Sequence, residues 1–204
     1  GAGDYGVGVV AGDNGNFYVL GKLNTKVGGA EQASDYYGGN GDFWLVKMNG
    51  QGTILWEKNY GGSDADIPYD IKKDKDGNLY LVGLTASNDY DASHSNFGKN
   101  DMWILKVNSQ GDTIYTKRFG GNEEDFASGI ALSKNGYSIY VAGATESTNG
   151  TFPVEYGLRD LVVLRLDYEY TPEYELKIQI AGQGTTTPSV GTYMYEEGKQ
   201  ISMK

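Results

Sequence analysis

Acidic residues recur along this chain in close pairs. Asp64 and Asp66 lie in Ser63-Asp64-Ala65-Asp66, and Glu123, Glu124 and Asp125 follow Asn122. Two carboxylates make the acid–base pair of glycoside hydrolysis when an apolar pocket raises the pKa of one of them. Here the acidic step returns in each segment of the chain, with Asp4 holding the place in the first. Repetition argues against a unique active site. Asp66 and Asp125 are therefore expected to bind backbone amides at a sheet edge, and a polysaccharide-acting enzyme ranks third among the functional readings.

Asp74-Lys75-Asp76-Gly77-Asn78 has the spacing of a calcium loop. Ca²⁺ takes six to eight hard oxygens, and Asp74, Asp76 and Asn78 supply the first of them. The later Glu of a helical calcium loop is missing, because Leu79-Tyr80-Leu81 follows. The corresponding segments are Gly12-Asp13-Asn14-Gly15-Asn16 and Ser133-Lys134-Asn135-Gly136. What they share is turn chemistry rather than carboxylates. A hairpin turn is the first reading, Ca²⁺ the alternative, and no other cofactor is expected.

His94 is the only histidine and sits in the polar run Asp91-Ala92-Ser93-His94-Ser95-Asn96. Members of a Ser-His-Asp triad come from distant segments, so adjacency in sequence does not make one. Zinc sites built on Cys are excluded by the absence of Cys. Gly1-Ala2-Gly3-Asp4-Tyr5-Gly6 matches a phosphate-loop pattern in letters only, with no strand before it. The chain is read as non-catalytic.

Aromatic residues stand among Ser, Asn, Asp and Gly in the long polar stretches. They are Tyr36, Tyr37, Tyr90, Phe97 and Tyr156, with Phe152 nearby. Rigid aromatics that anchor, beside small polar residues that adapt, make a binding surface for a glycan or a protein. The competing reading is that these rings plug the ends of the sheets.

The elements that position these residues repeat. Asp42-Phe43-Trp44-Leu45-Val46-Lys47, Asp101-Met102-Trp103-Ile104-Leu105-Lys106 and Asp160-Leu161-Val162-Val163-Leu164-Arg165 are 59 residues apart. Asn16-Phe17-Tyr18-Val19-Leu20-Gly21 corresponds to Asn78-Leu79-Tyr80-Leu81-Val82-Gly83 and Ser138-Ile139-Tyr140-Val141-Ala142-Gly143. Gly61-Gly62 corresponds to Gly120-Gly121, and Trp56 to Tyr115. A fixed period of this size marks a repeat architecture. The units are 1–59, 60–118 and 119–169.

The second unit predicts strands over Ile67–Lys73, Leu79–Leu84, Met102–Val107 and Thr113–Arg118. Asp76-Gly77-Asn78 and Ser109-Gln110-Gly111 are the turns between them. Leu79–Leu84 and Met102–Val107 are apolar almost throughout, which means sheets covered on both faces. Four-stranded antiparallel sheets stacked face to face are propeller blades. The predicted fold is all-β, three such blades over 1–170 and a short β segment over 171–204. Asp42 and Lys47 point to opposite faces of their strand, so each is expected to bond a neighbouring strand or blade.

The Asn-x-Tyr-Val-x-Gly run, the Asp-x-Trp-x-x-Lys run and the Gly-Gly close resemble the SBBP-type β-propeller repeat of bacterial surface and secreted proteins. Thr85-x-Ser87 and Thr145-x-Ser147 with Phe152-Pro153 resemble its loop. The resemblance covers about 1–168 and implies an extracellular or cell-surface location. The third unit departs from it at Val162, and the first has Leu23-Asn24-Thr25 in place of Thr-x-Ser. From Tyr174 the alternation through Ile180, with Gly182-Gln183-Gly184 and Tyr193-Met194-Tyr195, is similar to half of a divergent internalin-type B-repeat. Such a half-module is expected to lean on other structure.

Composition narrows the partners. The net charge of −10 argues against nucleic acid and anionic membranes. No apolar span of about 18 residues predicts membrane insertion. The 31 Gly, 4 Pro and 17 Tyr fit a turn-rich β-protein. Three blades do not close a ring, because propellers have four or more. Self-association, or blades from a longer chain, is therefore expected. The leading function is adhesion or glycan or protein binding, and the alternative is a structural or assembly subunit.

Overall fold

Strand-forming residues at a fixed repeat produce three antiparallel sheets. The computed structural model describes residues 3–24, 37–93, 98–134, 136, 138–152, 159–167, 173–178 and 191–196. The first sheet has the order β1 (Tyr5–Ala11), β2 (Phe17–Leu23), β3 (Asp42–Met48), β4 (Ile54–Tyr60). The second repeats it with β5 (Asp66–Lys73), β6 (Leu79–Thr85), β7 (Asp101–Val107), β8 (Thr113–Phe119). The third holds β9 (Asp125–Leu132), β10 (Ser138–Thr145) and β11 (Asp160–Asp167). This is the expected all-β, propeller-like array, and the third sheet has three strands. Among the described residues the one helical element is a short 3₁₀ turn, Tyr90–Ala92.

The registers repeat as well. Thr85 pairs with both Asp66 and Asp101, and Thr145 with Asp125. Asp66 N donates to Gly41 O at 2.7 Å, and 59 residues on Asp125 N donates to Asn100 O at 2.8 Å. Each sheet is thus tied to the next by the same backbone bond.

Stacking explains the apolar strands. Every residue of β6 is buried and nearly every residue of β7, because the second sheet has a neighbour on each face. Its Leu79, Leu81, Trp103, Leu105 and Val107 pack against Tyr18, Leu20, Phe43, Leu45 and Tyr60 of the first sheet. Phe43 meets Trp103 edge to face, with centroids 4.8 Å apart. In β11 the exposure alternates residue by residue instead, the pattern of a strand covered on one face only.

The turn at 108–112 closes over the first sheet. Its Ser109 carbonyl accepts from Tyr18 Oη at 3.1 Å and Lys47 Nζ at 3.3 Å. Tyr60 Oη donates to Gly111 O at 2.6 Å, and Lys58 Nζ pairs with Asp112 at 2.7 Å. Lys47 therefore binds the neighbouring blade, as its position on the strand predicts. Asp42 stays local and accepts from Tyr37 N at 3.1 Å.

The chain divides into two compact units, Gly1–Leu166 and Asp167–Lys204. In the second unit β12 (Glu173–Ile178) and β13 (Gly191–Glu196) form an antiparallel hairpin, with Leu176 opposite Tyr193.

Candidate functional site

The buried aspartates gather where one sheet passes into the next. Asp42 begins β3, Asp66 begins β5, and Gly61 lies between them. A Cβ on Gly61 would meet Asp42 Oδ1 at 2.7 Å and Asp66 Oδ2 at 2.7 Å, so the chain needs glycine there. Gly120 stands in the same relation to Asp101 and Asp125. Asp66 Oδ2 accepts from Gly62 N at 2.7 Å and Ser87 Oγ at 2.9 Å, and the Ser87 Oγ also accepts from Asp64 N at 2.9 Å. Asp125 repeats this with Gly121 N at 2.8 Å and Ser147 Oγ at 2.7 Å, and Thr145 Oγ1 donates to its other oxygen. The expectation that Asp66 and Asp125 bind backbone amides holds. The Thr-x-Ser hydroxyls that complete the knot were legible only as a family motif, with no role attached.

One difference separates the two copies. Asn59 and Arg118 occupy corresponding positions, opposite Trp44 and Trp103. The Arg118 guanidinium donates to Thr85 Oγ1 at 2.9 Å and to the Ser87 carbonyl, and the charges of Asp101 and Asp66 act on it. Asn59 carries no charge. It is 6 % exposed, and neither atom of its amide has a partner. Asp42 Oδ1 and Asp66 Oδ1 likewise lack partners. A buried polar group left unsatisfied costs about 1–3 kcal/mol. Sequence reasoning passed over Asn59, although laying the units over one another at 59 residues exposes the exchange.

Asn59 lines a cleft of about 280 Å³ between the first two sheets. Tyr37, Lys58, Tyr60, Asp91, Gly111, Asp112 and Thr113 complete its walls. Lys58 pairs with Asp112, which leaves Asp91 as the remaining charged residue of the lining. Asp91 Oδ2 accepts from Gly61 N at 3.4 Å, and Asp91 N donates to Gly61 O at 3.2 Å. The Tyr37 ring stacks on Tyr90 with centroids 4.4 Å apart and planes 22° apart. Tyr90 is exposed and holds φ at +48°, a left-handed conformation that costs a non-glycine residue about 1–2 kcal/mol. Strain of this kind collects at binding sites. The structure thus brings together two of the loop aromatics read from the sequence, Tyr37 and Tyr90. Tyr36, Phe97 and Tyr156 lie outside the described residues, as does His94.

The Asp74–Asn78 segment is a hairpin turn, with Gly77 at φ +86°. Asp74 Oδ1 accepts from Asp76 N at 3.0 Å and Asn78 N at 2.8 Å. Its Oδ2 accepts from Asn78 Nδ2 at 3.0 Å, and Lys106 Nζ lies 3.6 Å away. Asn49 and Asn108 hold the turns after β3 and β7 in the same way, through Oδ1 and two backbone amides. The device needs an acceptor oxygen and no charge. Asp76 faces Lys75 at 3.1 Å. Among the described residues no three His, Asp or Glu side chains gather as for a metal ion.

Burial pushes the Asp42 carboxyl up to about 7. The Tyr37 amide works against the rise, and the like charges of Asp66 and Asp91 add to it. Burial also pushes Asp66 up to about 6, against bonds from Thr85, Gly62 and Ser87 and the charge of Arg118. Both folded values exceed the unfolded value of 3.8. The folded chain therefore binds more protons than the unfolded chain, and this contribution fades as pH rises from about 4 through about 7. The exposed Asp13, Asp89 and Asp112 are lowered, and their contribution is lost only below the ordinary carboxylate range. The melting temperature is expected to rise by about 5 °C between pH 8 and pH 5. Asp42→Asn should flatten most of that slope in a calorimetric pH series. An unchanged slope in the variant would refute the assignment.

Comparison with known proteins agrees with this architecture. Residues 114–151 match the family model of the SBBP beta-propeller repeat. The matched stretch runs from β8 through β10 and carries Gly120-Gly121, Asp125, Thr145 and Ser147. Over 145 residues the chain is 26% identical to the regulatory protein FlaEY of Caulobacter vibrioides (strain ATCC 19089 / CIP 103742 / CB 15). That alignment takes in 68% of this chain and 15% of the relative, so the chain spans a small part of the relative's length. The stretch that builds the second aspartate knot is thus similar to a beta-propeller repeat, in keeping with the three stacked sheets.

Proposed function

We propose that this chain is a non-catalytic, ligand-binding segment of a β-propeller protein that works outside the cell or at its surface. The carrying observation is the stacked Tyr37–Tyr90 pair beside a cleft lined by the buried, unpartnered Asn59 amide. An exposed ring beside hydrogen-bonding groups suits a glycan or a protein side chain. The relative's description as a regulatory protein supports binding over catalysis. So does the repetition of the aspartate knot, whose carboxylates are engaged by amides and hydroxyls at each copy. Ca²⁺ has no part in this proposal.

A glycan array and a panel of immobilised proteins test the reading. Tyr90→Ala is expected to weaken a genuine hit by about tenfold, the loss of one aromatic contact. A hit that neither Tyr37→Ala nor Tyr90→Ala disturbs would move the site elsewhere and sink the proposal.

The outer face of the third sheet favours a second reading, assembly. Leu161 is 81 % exposed, whereas Met102, its counterpart one unit earlier, is fully buried. Val163 and Tyr140 are exposed on the same sheet, and their counterparts Ile104 and Tyr80 are buried. We propose that this face takes another blade, from a longer chain or a second copy, and that the half B-repeat resemblance of 171–204 belongs to such a larger assembly. Light scattering of the 204-residue chain is then expected to show concentration-dependent association that Leu161→Asp abolishes. A stable monomer at micromolar concentration would count against it.

A further inference from the structure

The first two sheets each end in a fourth strand, and the two strands read alike. Trp56-Glu57-Lys58-Asn59-Tyr60 in β4 corresponds to Tyr115-Thr116-Lys117-Arg118-Phe119 in β8, with aromatic, Lys and aromatic at every second residue. Both strands keep the same register against the third strand of their sheet. Tyr60 and Phe119 pair with Phe43 and Met102, and Lys58 and Lys117 with Leu45 and Ile104. Trp56 and Tyr115 pair with Lys47 and Lys106. In the third sheet the corresponding residues of β11 are Leu161, Val163 and Arg165, and all three are exposed. Among the described residues no strand lies beyond β11 in that sheet.

The sequence explains the open place. Gly52 and Gly111 hold φ at +82° and +79° in the turns that return the chain to β4 and β8, and Tyr170 stands at the corresponding position. Such a φ suits glycine and disfavours a bulky side chain. The fourth-strand position in the sequence belongs to β12, where Leu176 and Ile178 replace the Lys and the second aromatic. β12 pairs along its length with β13.

We propose that the edge of β11 takes an antiparallel strand from a partner polypeptide. That strand reads aromatic-x-Lys-x-aromatic, with its rings opposite Arg165 and Leu161 and its Lys opposite Val163. β4 and β8 are already held in their own sheets, so neither is the donor. A sheet edge offers a row of N–H and C=O groups. An added peptide gains a backbone ladder there, and its alternate side chains set the choice of sequence. The ring opposite Arg165 gives that cation a face to lie on. The net charge of −10 favours a donor that carries Lys. The proposal concerns the edge of the third sheet rather than its outer face or the cleft, and it stands apart from both readings above.

The test is fluorescence anisotropy of the whole chain with a labelled peptide that copies residues 112–121, which carry the β8 strand. Saturable binding is expected, with new hydrogen-exchange protection greatest over 160–167. The peptide with Tyr115→Ala and Phe119→Ala should bind about tenfold more weakly, the effect of two cross-strand pairs together. The original peptide N-methylated along its backbone keeps the side chains, loses the ladder donors and should not bind.

Failure to saturate overturns the proposal. So does equal binding of the N-methylated or the alanine peptide. Protection greatest outside 160–167, as when the peptide displaces β8 itself, overturns it as well.

Discussion

Trp103→Ala is expected to remove about 4 kcal/mol of folding stability. Trp103 is fully buried between the first and second sheets, edge-on to Phe43, and its Nε1 donates to Thr116 Oγ1. Truncation opens a cavity where two sheets meet and leaves the Thr116 hydroxyl short of a donor. Trp44 holds the same strand position in the first sheet, but it is only part-buried. Its Nε1 donates to Glu57 Oε2 at 3.1 Å, and Trp44→Ala is expected to cost less than half as much. Urea titration of both variants measures the difference. Equal losses would mean that stacking between blades does not decide what this repeated tryptophan contributes.

Asp66→Ala is expected to cost about 3 kcal/mol, despite the burial that pushes its carboxyl upward. The reason lies in what it leaves behind. Gly62 N and Ser87 Oγ lose their acceptor inside the protein, and Arg118 loses one of the two carboxylates whose charge acts on it. Asp125→Ala repeats the damage at the next junction, where Gly121 N, Ser147 Oγ and Thr145 Oγ1 are stranded. Asp66→Asn retains an acceptor and should fall between wild type and alanine. A loss under about 1 kcal/mol for Asp66→Ala would show that water replaces the carboxylate at the knot and that the junction is not sealed.

The repeat, the strand order within a unit and the covered faces were all legible in the residues. The Asp-x-Trp-x-x-Lys run, the Asn-x-Tyr-Val-x-Gly run and the turn pairs each act locally, and local rules read well from a string. Lys47 reaching the next blade and Asp66 holding an amide also followed, because face and edge are fixed by strand period. The cleft did not follow. Its walls come from Tyr37, Asn59, Asp91 and Asp112, which no sequence spacing relates and only the stacking of two sheets brings together. Asn59 was hidden for a further reason. Its importance is a difference between two copies, whereas a search for repeats rewards what stays the same. Of the five loop aromatics, Tyr37 and Tyr90 meet from different blades, a contact that no spacing along the chain foretells. The Asp74 turn shows the converse. A carboxylate at metal-like spacing does the work that Asn49 and Asn108 do elsewhere in the same fold.

The turn at 108–112 gives the array a direction. Four side chains of the first sheet grip it across 51 to 91 residues of sequence. The cation stacking behind that grip recurs in the second sheet, where Lys106 lies over Tyr80 at 4.9 Å as Lys47 lies over Tyr18 at 5.1 Å. The first two sheets should therefore open as one body in hydrogen exchange, since neither can part without breaking the bonds that the turn makes, like two leaves held by one clasp.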